Sequence, residues 1–382
     1  MKVGFHCDSL SLRGVTVATL SYARMWREEL KQESVIVKSE GQTPWIKDQD
    51  DPNSVKTIED IEVLRYRDKE QLDSLLVNSG IDALYVMTSG VKDKKFANIT
   101  PQLWIHAVFP SKMNDIHGNK YACISDWLAK ESFNYNIPFV PHIVNFPTKN
   151  LVSRKSWLKQ YNIPQNSIII GSMGGTHTFD LKPARDGLER ALHKNPSLFF
   201  VALNHRKFTN NKQSLFLPGT NNLDEKSSFI NACDAMLHGR AQGETFGLAC
   251  AEYAAANKPI FAWRHAPERH HLEKFCPEVL NFSTARELEK KLLAFDPRDW
   301  STSDRQQTCL PYRQETIAPI FQEVFAKNIS QVCTPDFSIQ DKALIFKRRI
   351  QRSLRARLSQ SQKYPIDPTT VIEPTSGFPM EN

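Results

Sequence analysis

Short apolar runs separated by helix-length polar stretches constrain this chain more than any other feature. Val35-Ile36-Val37, Ala83 to Met87 and Tyr121 to Ile124 are unbroken, and Ile61 to Leu64 and Leu103 to Phe109 carry one polar residue each, so all are too short for buried helices and too apolar for strands with one wet face. They follow an opening strand, Lys2 to His6, and are interleaved with helix-like segments at Val15 to Lys31, Lys69 to Asn78 and Asp126 to Tyr135. Strands buried on both faces and joined through helices predict a parallel sheet covered on both sides.

The rhythm breaks at the proline-rich Pro138 to Pro147, which reads as a strand end and linker, and resumes after Ser153. There the pattern gives helix Lys155 to Tyr161, strand Ser167 to Gly171, loop Ser172 to Asp180, helix Pro183 to His193 and strand Leu198 to Leu203. Helix Glu225 to Cys233, strand Ala235 to His238 and helix Ala285 to Ala294 complete it. The expectation is an α/β chain of two doubly wound, Rossmann-like domains facing a cleft, over residues 1–146 and 147–330, with a basic tail at 331–382.

Charge and cysteine usage narrow the class. The net charge is +7, and between Asp341 and Lys363 eight Lys or Arg accompany one acid, an excess equal to that of the whole chain. Ala343, Leu344, Ile345, Phe346, Ile350, Leu354 and Leu358 recur among them at helical spacing. A basic amphipathic helix is predicted, suited to an anionic membrane surface through residues 342–363 and therefore to a peripheral placement. With little aromatic interleaving for stacking on bases, no nucleic-acid partner is expected. The proline-rich stretch from Tyr364 to Asn382 is expected to be disordered. No run of about 18 apolar residues exists, so no transmembrane helix is predicted, and Met1 to Phe5 reads as a strand rather than a signal peptide. Seven scattered cysteines without C-x-x-C spacing predict reduced thiols and a cytoplasmic setting.

The most specific stretch is Leu237 to Trp263. Ala241-Gln242-Gly243 reads as a loop, Thr245 as a helix N-cap, Phe246 to Ala256 as a helix, Asn257 as a left-handed turn residue and Ile260 to Trp263 as a strand. A helix opening from a glycine loop presents unpaired N–H groups and the positive end of its dipole, a seat for phosphate. Glu244, before the helix, and Glu252, about 10 Å further along at ~1.5 Å per residue, could both touch only an elongated ligand. A sugar joined through a diphosphate to a ribose has that shape, and carboxylates accept well from paired hydroxyls. Glu252 is the single charge between Leu248 and Ala255, and a carboxylate so placed needs a partner. Gly171-Ser172-Met173-Gly174-Gly175, between a strand and a helix, is a second candidate for close approach to phosphate. His265, His270, His271 and Cys276 match no common ligand spacing, so no metal is expected.

Gly243-Glu244-Thr245-Phe246-Gly247-Leu248, with Glu252 and Ala254 to Pro259, resembles the E-x7-E signature of retaining GT-B glycosyltransferases of the family 4 type, departing from it at Thr245, Tyr253 and Asn257. The resemblance covers roughly residues 1 to 330. It implies a GT-B fold and retaining transfer of a hexose-type sugar from a nucleotide-sugar donor to a glycan- or lipid-linked acceptor, with no cofactor and no metal. It places Glu244, His106, Arg240 and Lys182 in catalysis, and Glu252, Thr245, Phe246, Gly247, Leu248, Gly174 and Gly175 at the donor. Arg13 and Gly14 fall in its acceptor-side loop. The Arg usually beside the phosphate turn is absent, and Arg240 stands in for its charge. A GT-B relative with other chemistry, such as a nucleotide-sugar epimerase, and a non-catalytic sugar-nucleotide-binding protein fit the same residues.

Overall fold

The computed structural model describes residues 1–8, 14–40, 57–58, 61–149, 151–220, 222–300, 304–327 and 335–363. Arg13 and the stretch 364–382 therefore lie outside the described residues. The chain forms two units, Met1–Ile143 with Pro311–Ile350, and Val144–Leu310 with Gln351–Asn382. The first division falls within the proline-rich 138–147.

In the first unit the elements follow in the order β1 (Lys2–Cys7), α1 (Gly14–Glu28), β2 (Glu33–Ser39), β3 (Thr57–Ile58), β4 (Ile61–Tyr66) and α2 (Lys69–Asn78). They continue with β5 (Ala83–Thr88), β6 (Gln102–Ala107), β7 (Lys120–Cys123) and α3 (Asp126–Phe133). The sheet order is β3-β4-β2-β1-β5-β6-β7, parallel throughout except at the β3–β4 edge. Phe5, Ile36, Leu84, Tyr85, Trp104 and Ile105 are fully buried, which is what continuous apolar strands require. Ser125 caps α3, its hydroxyl accepting from the Leu128 amide at 3.2 Å.

The second unit runs α4 (Arg154–Gln160), β8 (Ile168–Met173), α5 (Lys182–Lys194), β9 (Leu198–Leu203), β10 (Ser214–Leu217), α6 (Leu223–Ala232) and β11 (Ala235–His238). It then runs α7 (Leu248–Ala255), β12 (Ile260–Trp263), α8 (His270–Phe275), β13 (Leu280–Phe282), α9 (Ala285–Leu293) and α10 (Gln306–Cys309). Its parallel sheet has the order β10-β9-β8-β11-β12-β13. Strand alternation sends Phe200 and Phe261 to one apolar cluster and Val201, Ile260 and Ala262 to the other, so both faces are covered. The direction of winding reverses between β8 and β11, the place where open α/β sheets bind ligands beyond their strand ends.

The tail departs from the sequence expectation. Residues 311–330 were expected to belong to the second domain, but α11 (Gln314–Phe321) and the π-helical turn Gln322–Ala326 return to the first unit. Phe321 lies 5.2 Å from Tyr22 and 5.5 Å from Tyr85, ring centre to ring centre, and Phe325 stacks on Trp104 at 5.8 Å. The apolar face of this segment, with Ile317, Phe321 and Phe325 wholly buried, therefore completes the first core. Beyond it α12 (Ile339–Gln360) is the predicted basic helix. One side is anchored through buried Ile345 and Ser359, while Phe346 is 64% and Leu358 73% exposed, with Ile350 and Leu354 between them. Among the described residues no helix is long and apolar enough to cross a membrane.

Candidate functional site

The loop from Gly239 to Gly247 joins β11 to α7 and is fixed along its whole length. Leu181 donates to the Gly239 carbonyl (3.0 Å), and Asp180 accepts from the Ala241 amide (2.8 Å). Glu268 receives the Glu244 amide at 2.7 Å and gives its own to Gln242 at 3.0 Å, so this stretch pairs like a short strand. That pairing corrects the predicted helix start. The helix opens at Leu248, not Phe246, and its cap position is Gly247 in a left-handed conformation (φ 81°) with no side-chain cap, so Thr245 is a buried loop residue rather than an N-cap. Glu244 consequently precedes the helix by four residues, and the helical rise no longer sets its separation from Glu252. Only glycine fits at Gly247, where a Cβ would meet the His271 ring at 2.4 Å. At Gly243 (φ 81°) it would meet the Glu268 carbonyl oxygen at 1.8 Å. At the far end Asn257 is left-handed (φ 61°), as its residue type predicts.

The braced loop sets two charges against each other. Arg240 donates to Glu244 Oε1 at 2.5 Å, and His238 Nε2 lies 3.9 Å from the same oxygen. Burial would raise the Glu244 carboxyl, but Arg240 and then His238 outweigh it and pull it down to about 2. Glu244 is therefore a fixed anion, about one third open, at the carboxyl end of the switch strands. Glu252, 3% exposed, has the partner that its apolar helix demands: Lys226 of α6, whose ammonium donates to Oε1 at 2.5 Å. Sequence reasoning missed Lys226, because a lysine on a separate helix 26 positions away carries no local signal.

The other predicted residues are distributed unevenly. Gly174 and Gly175 end β8, where their turn is held by Asn204, donating to the Gly174 carbonyl (2.8 Å), and by His205, whose Nδ1 lies 3.2 Å from the Gly175 carbonyl. Phe246 is buried against Phe275 (5.4 Å between ring centres), and Leu248 begins the helix. Lys182, expected at the diphosphate, pairs with Asp186 one turn along the exposed side of α5, at 2.5 Å. His106 is 0% exposed, with Nδ1 at 2.6 Å from the Tyr85 hydroxyl and Nε2 at 3.2 Å from the Cys123 carbonyl, so both ring nitrogens have partners within the first core. Burial pushes it down to about 4, leaving it neutral. Of the acceptor-side pair, Gly14 is the first residue of α1 and Arg13 lies outside the described residues.

Two groupings were not anticipated. At the carboxyl end of β1, His6 bonds the Tyr66 hydroxyl at 2.6 Å, and Lys95 pairs with Asp8 while lying over the Phe96 ring at 5.3 Å. The tail also reaches the site loop: Ser359 donates to the Ala241 carbonyl at 2.5 Å, Lys363 lies 3.6 Å from Asp180, and Lys182 donates its amide to Gln362. The end of α12 is thus part of the loop's support. The histidines once grouped by spacing separate, with His265 beside Trp263, His270 facing Glu273 at 3.7 Å, and His271 alone turning inward.

No protein-family model matches the chain, and no curated protein sequence does. Solved structures do. HepE of Anabaena, in complex with UDP and glucose, is similar with a TM-score of 0.65 at 12% identity, over 86% of this chain and 100% of that one. A glycosyltransferase from Rickettsia africae gives 0.60 at 12% identity, over 86% and 99%. The sucrose-phosphate synthase of Thermosynechococcus elongatus gives 0.59 at 12% identity, again over 86% and 99%. At this identity the likeness is one of fold, and together with the two doubly wound parallel sheets it makes this chain a GT-B architecture.

Proposed function

We propose that this chain is a retaining glycosyltransferase that moves a hexose from a nucleoside-diphosphate donor held by its second unit. The observation that carries the reading is the Arg240–Glu244 pair, fixed in the loop before α7 at the strand ends where the sheet reverses direction. As the bond between sugar and diphosphate breaks, negative charge grows on the leaving group. Arg240 and the first amides of α7, including Leu248, stabilise that charge more than they stabilise the intact donor. Glu244 stays ionised and favours positive charge developing on the sugar. Glu252 accepts from ribose hydroxyls that do not change in the reaction, with Lys226 holding the carboxylate in place. HepE, solved with UDP and glucose, favours a UDP-hexose among donors. The acceptor belongs to the first unit, where His6, Asp8, Tyr66 and Lys95 gather polar groups at the carboxyl end of β1.

The test is donor-dependent nucleotide release, followed by kinetics of variants. Glu244→Gln should lower kcat by ~10²-fold, and Glu252→Gln should raise the donor KM more than it lowers kcat. Nucleotide binding without release would move a non-catalytic sugar-nucleotide-binding protein ahead. Release without acceptor dependence would favour other GT-B chemistry, such as epimerisation.

We further propose that the exposed side of α12 rests on an anionic bilayer, at the cytoplasmic face, which makes the protein peripheral. Phe346, Ile350, Leu354 and Leu358 lie within one arc of the helix, among Lys342, Lys347, Arg349, Arg355 and Arg357. Each basic residue near such a surface contributes about 1 kcal/mol, screened by salt. Leu354→Asp with Leu358→Asp should abolish sedimentation with phosphatidylserine liposomes while sparing turnover of a soluble acceptor, and undiminished sedimentation would refute the docking.

A further inference from the structure

Three elements of the second unit bring metal-ligating side chains to one point. His238 ends β11, Cys250 lies in the first turn of α7, and His271 lies in the first turn of α8. Their ligand atoms all fall within 4.8 Å of one another. The cysteine is wholly buried and both imidazoles are more than nine-tenths buried. Neither nitrogen of His271, nor Nε2 of His238, has a hydrogen-bond partner of normal geometry among the described residues, although the His271 ring lies beside the Glu244 backbone. Buried polar atoms are normally hydrogen-bonded and leaving them unsatisfied is costly, so an arrangement of this kind is stable when something fills it. The two rings cross at 69°, with centres 5.6 Å apart, so their edges do not bond each other.

We propose that His238, Cys250 and His271 bind a soft divalent cation, Zn²⁺ by donor chemistry. Two imidazoles and a thiolate suit zinc rather than magnesium or calcium. In a tetrahedral zinc site neighbouring ligand atoms stand about 3.5 Å apart, so the present spacing closes with small side-chain rotations. Binding replaces the thiol S–H bond with a sulfur–metal bond, and the proton leaves to buffer. Zinc here is not required by the transfer chemistry proposed above, and its binding is measured without that chemistry.

The experiment treats the full chain with chelator, removes the chelator, and titrates with Co²⁺ as a coloured substitute for zinc. One equivalent should give intense tetrahedral visible bands and a thiolate-to-cobalt charge-transfer band, both lost when Zn²⁺ is added. Cys250→Ala should lose the charge-transfer band, and His271→Gln should weaken binding by at least about tenfold. Circular dichroism checks that each variant folds. If Cys250→Ala does not fold, Cys250→Ser and His238→Gln carry the same comparison. A wild-type titration without a saturable one-to-one spectrum would overturn the proposal, as would a charge-transfer band that survives loss of Cys250.

Discussion

Glu244 owes its charge to two neighbours rather than to water. Burial works against ionisation, and Arg240 with His238 reverses the balance, bringing the carboxyl to about 2 against about 4.3 for a free glutamate. Because the folded value is the lower one, the pair stabilises the fold fully above pH ~4.3 and loses that contribution as pH falls towards 2. The melting temperature of the wild type minus that of Glu244→Gln should therefore be flat from pH 8 to 6 and shrink between pH 4.5 and 2.5. A difference that instead vanishes near pH 6 would place the titration on another group. What the residues disclosed in advance was uneven at this scale. Glu252 announced that it needed a partner by being the lone charge on an apolar helix, yet Lys226 could not be named, since proximity created by folding leaves no spacing in the chain. His106 stands in an apolar strand, and the buried run between Leu103 and Ala107 accounts for its burial.

Strand ends were legible where the chain marks them chemically. Leu198–Leu203, Ala235–His238 and Ile260–Trp263 lie where read, the last between the left-handed Asn257 with Pro259 and the charged Arg264. The start of α7 was not legible, because the backbone from Gln242 to Glu244 pairs with Glu268, a partner more than twenty residues distant. That pairing delays the helix to Gly247 and makes the glycine a steric requirement. Gly247→Ala places a side chain at φ 81° against His271 and should destabilise the protein by about 2 kcal/mol or more in urea denaturation. Gly14→Ala, at the start of α1 with no described residue within 4 Å of a Cβ, should instead be neutral or favourable by up to about 1 kcal/mol. Equal costs at the two positions would show that space at the Gly247 cap is not the constraint.

For the whole molecule, the return of α11 to the first unit is the feature that sequence continuity conceals. Two α/β stretches in series read as two domains in series, and the amphipathic face of 314–326 states that it must be buried without stating where. Phe321→Ala with Phe325→Ala tests the consequence. The double variant keeps the second unit, the end of α12 included, but removes both rings from Tyr22, Tyr85 and Trp104. Calorimetry should then lose the transition of the first unit, with raised binding of a hydrophobic dye, and retention of both transitions would show that the aromatic contacts are dispensable. The same connectivity governs events on the ribosome. The first unit is synthesised first but cannot be finished first. Its aromatic face waits for about 180 further residues, roughly ten to forty seconds at about 5–20 residues per second. Through that interval a newly made chain carries an unfinished hydrophobic surface at its leading end.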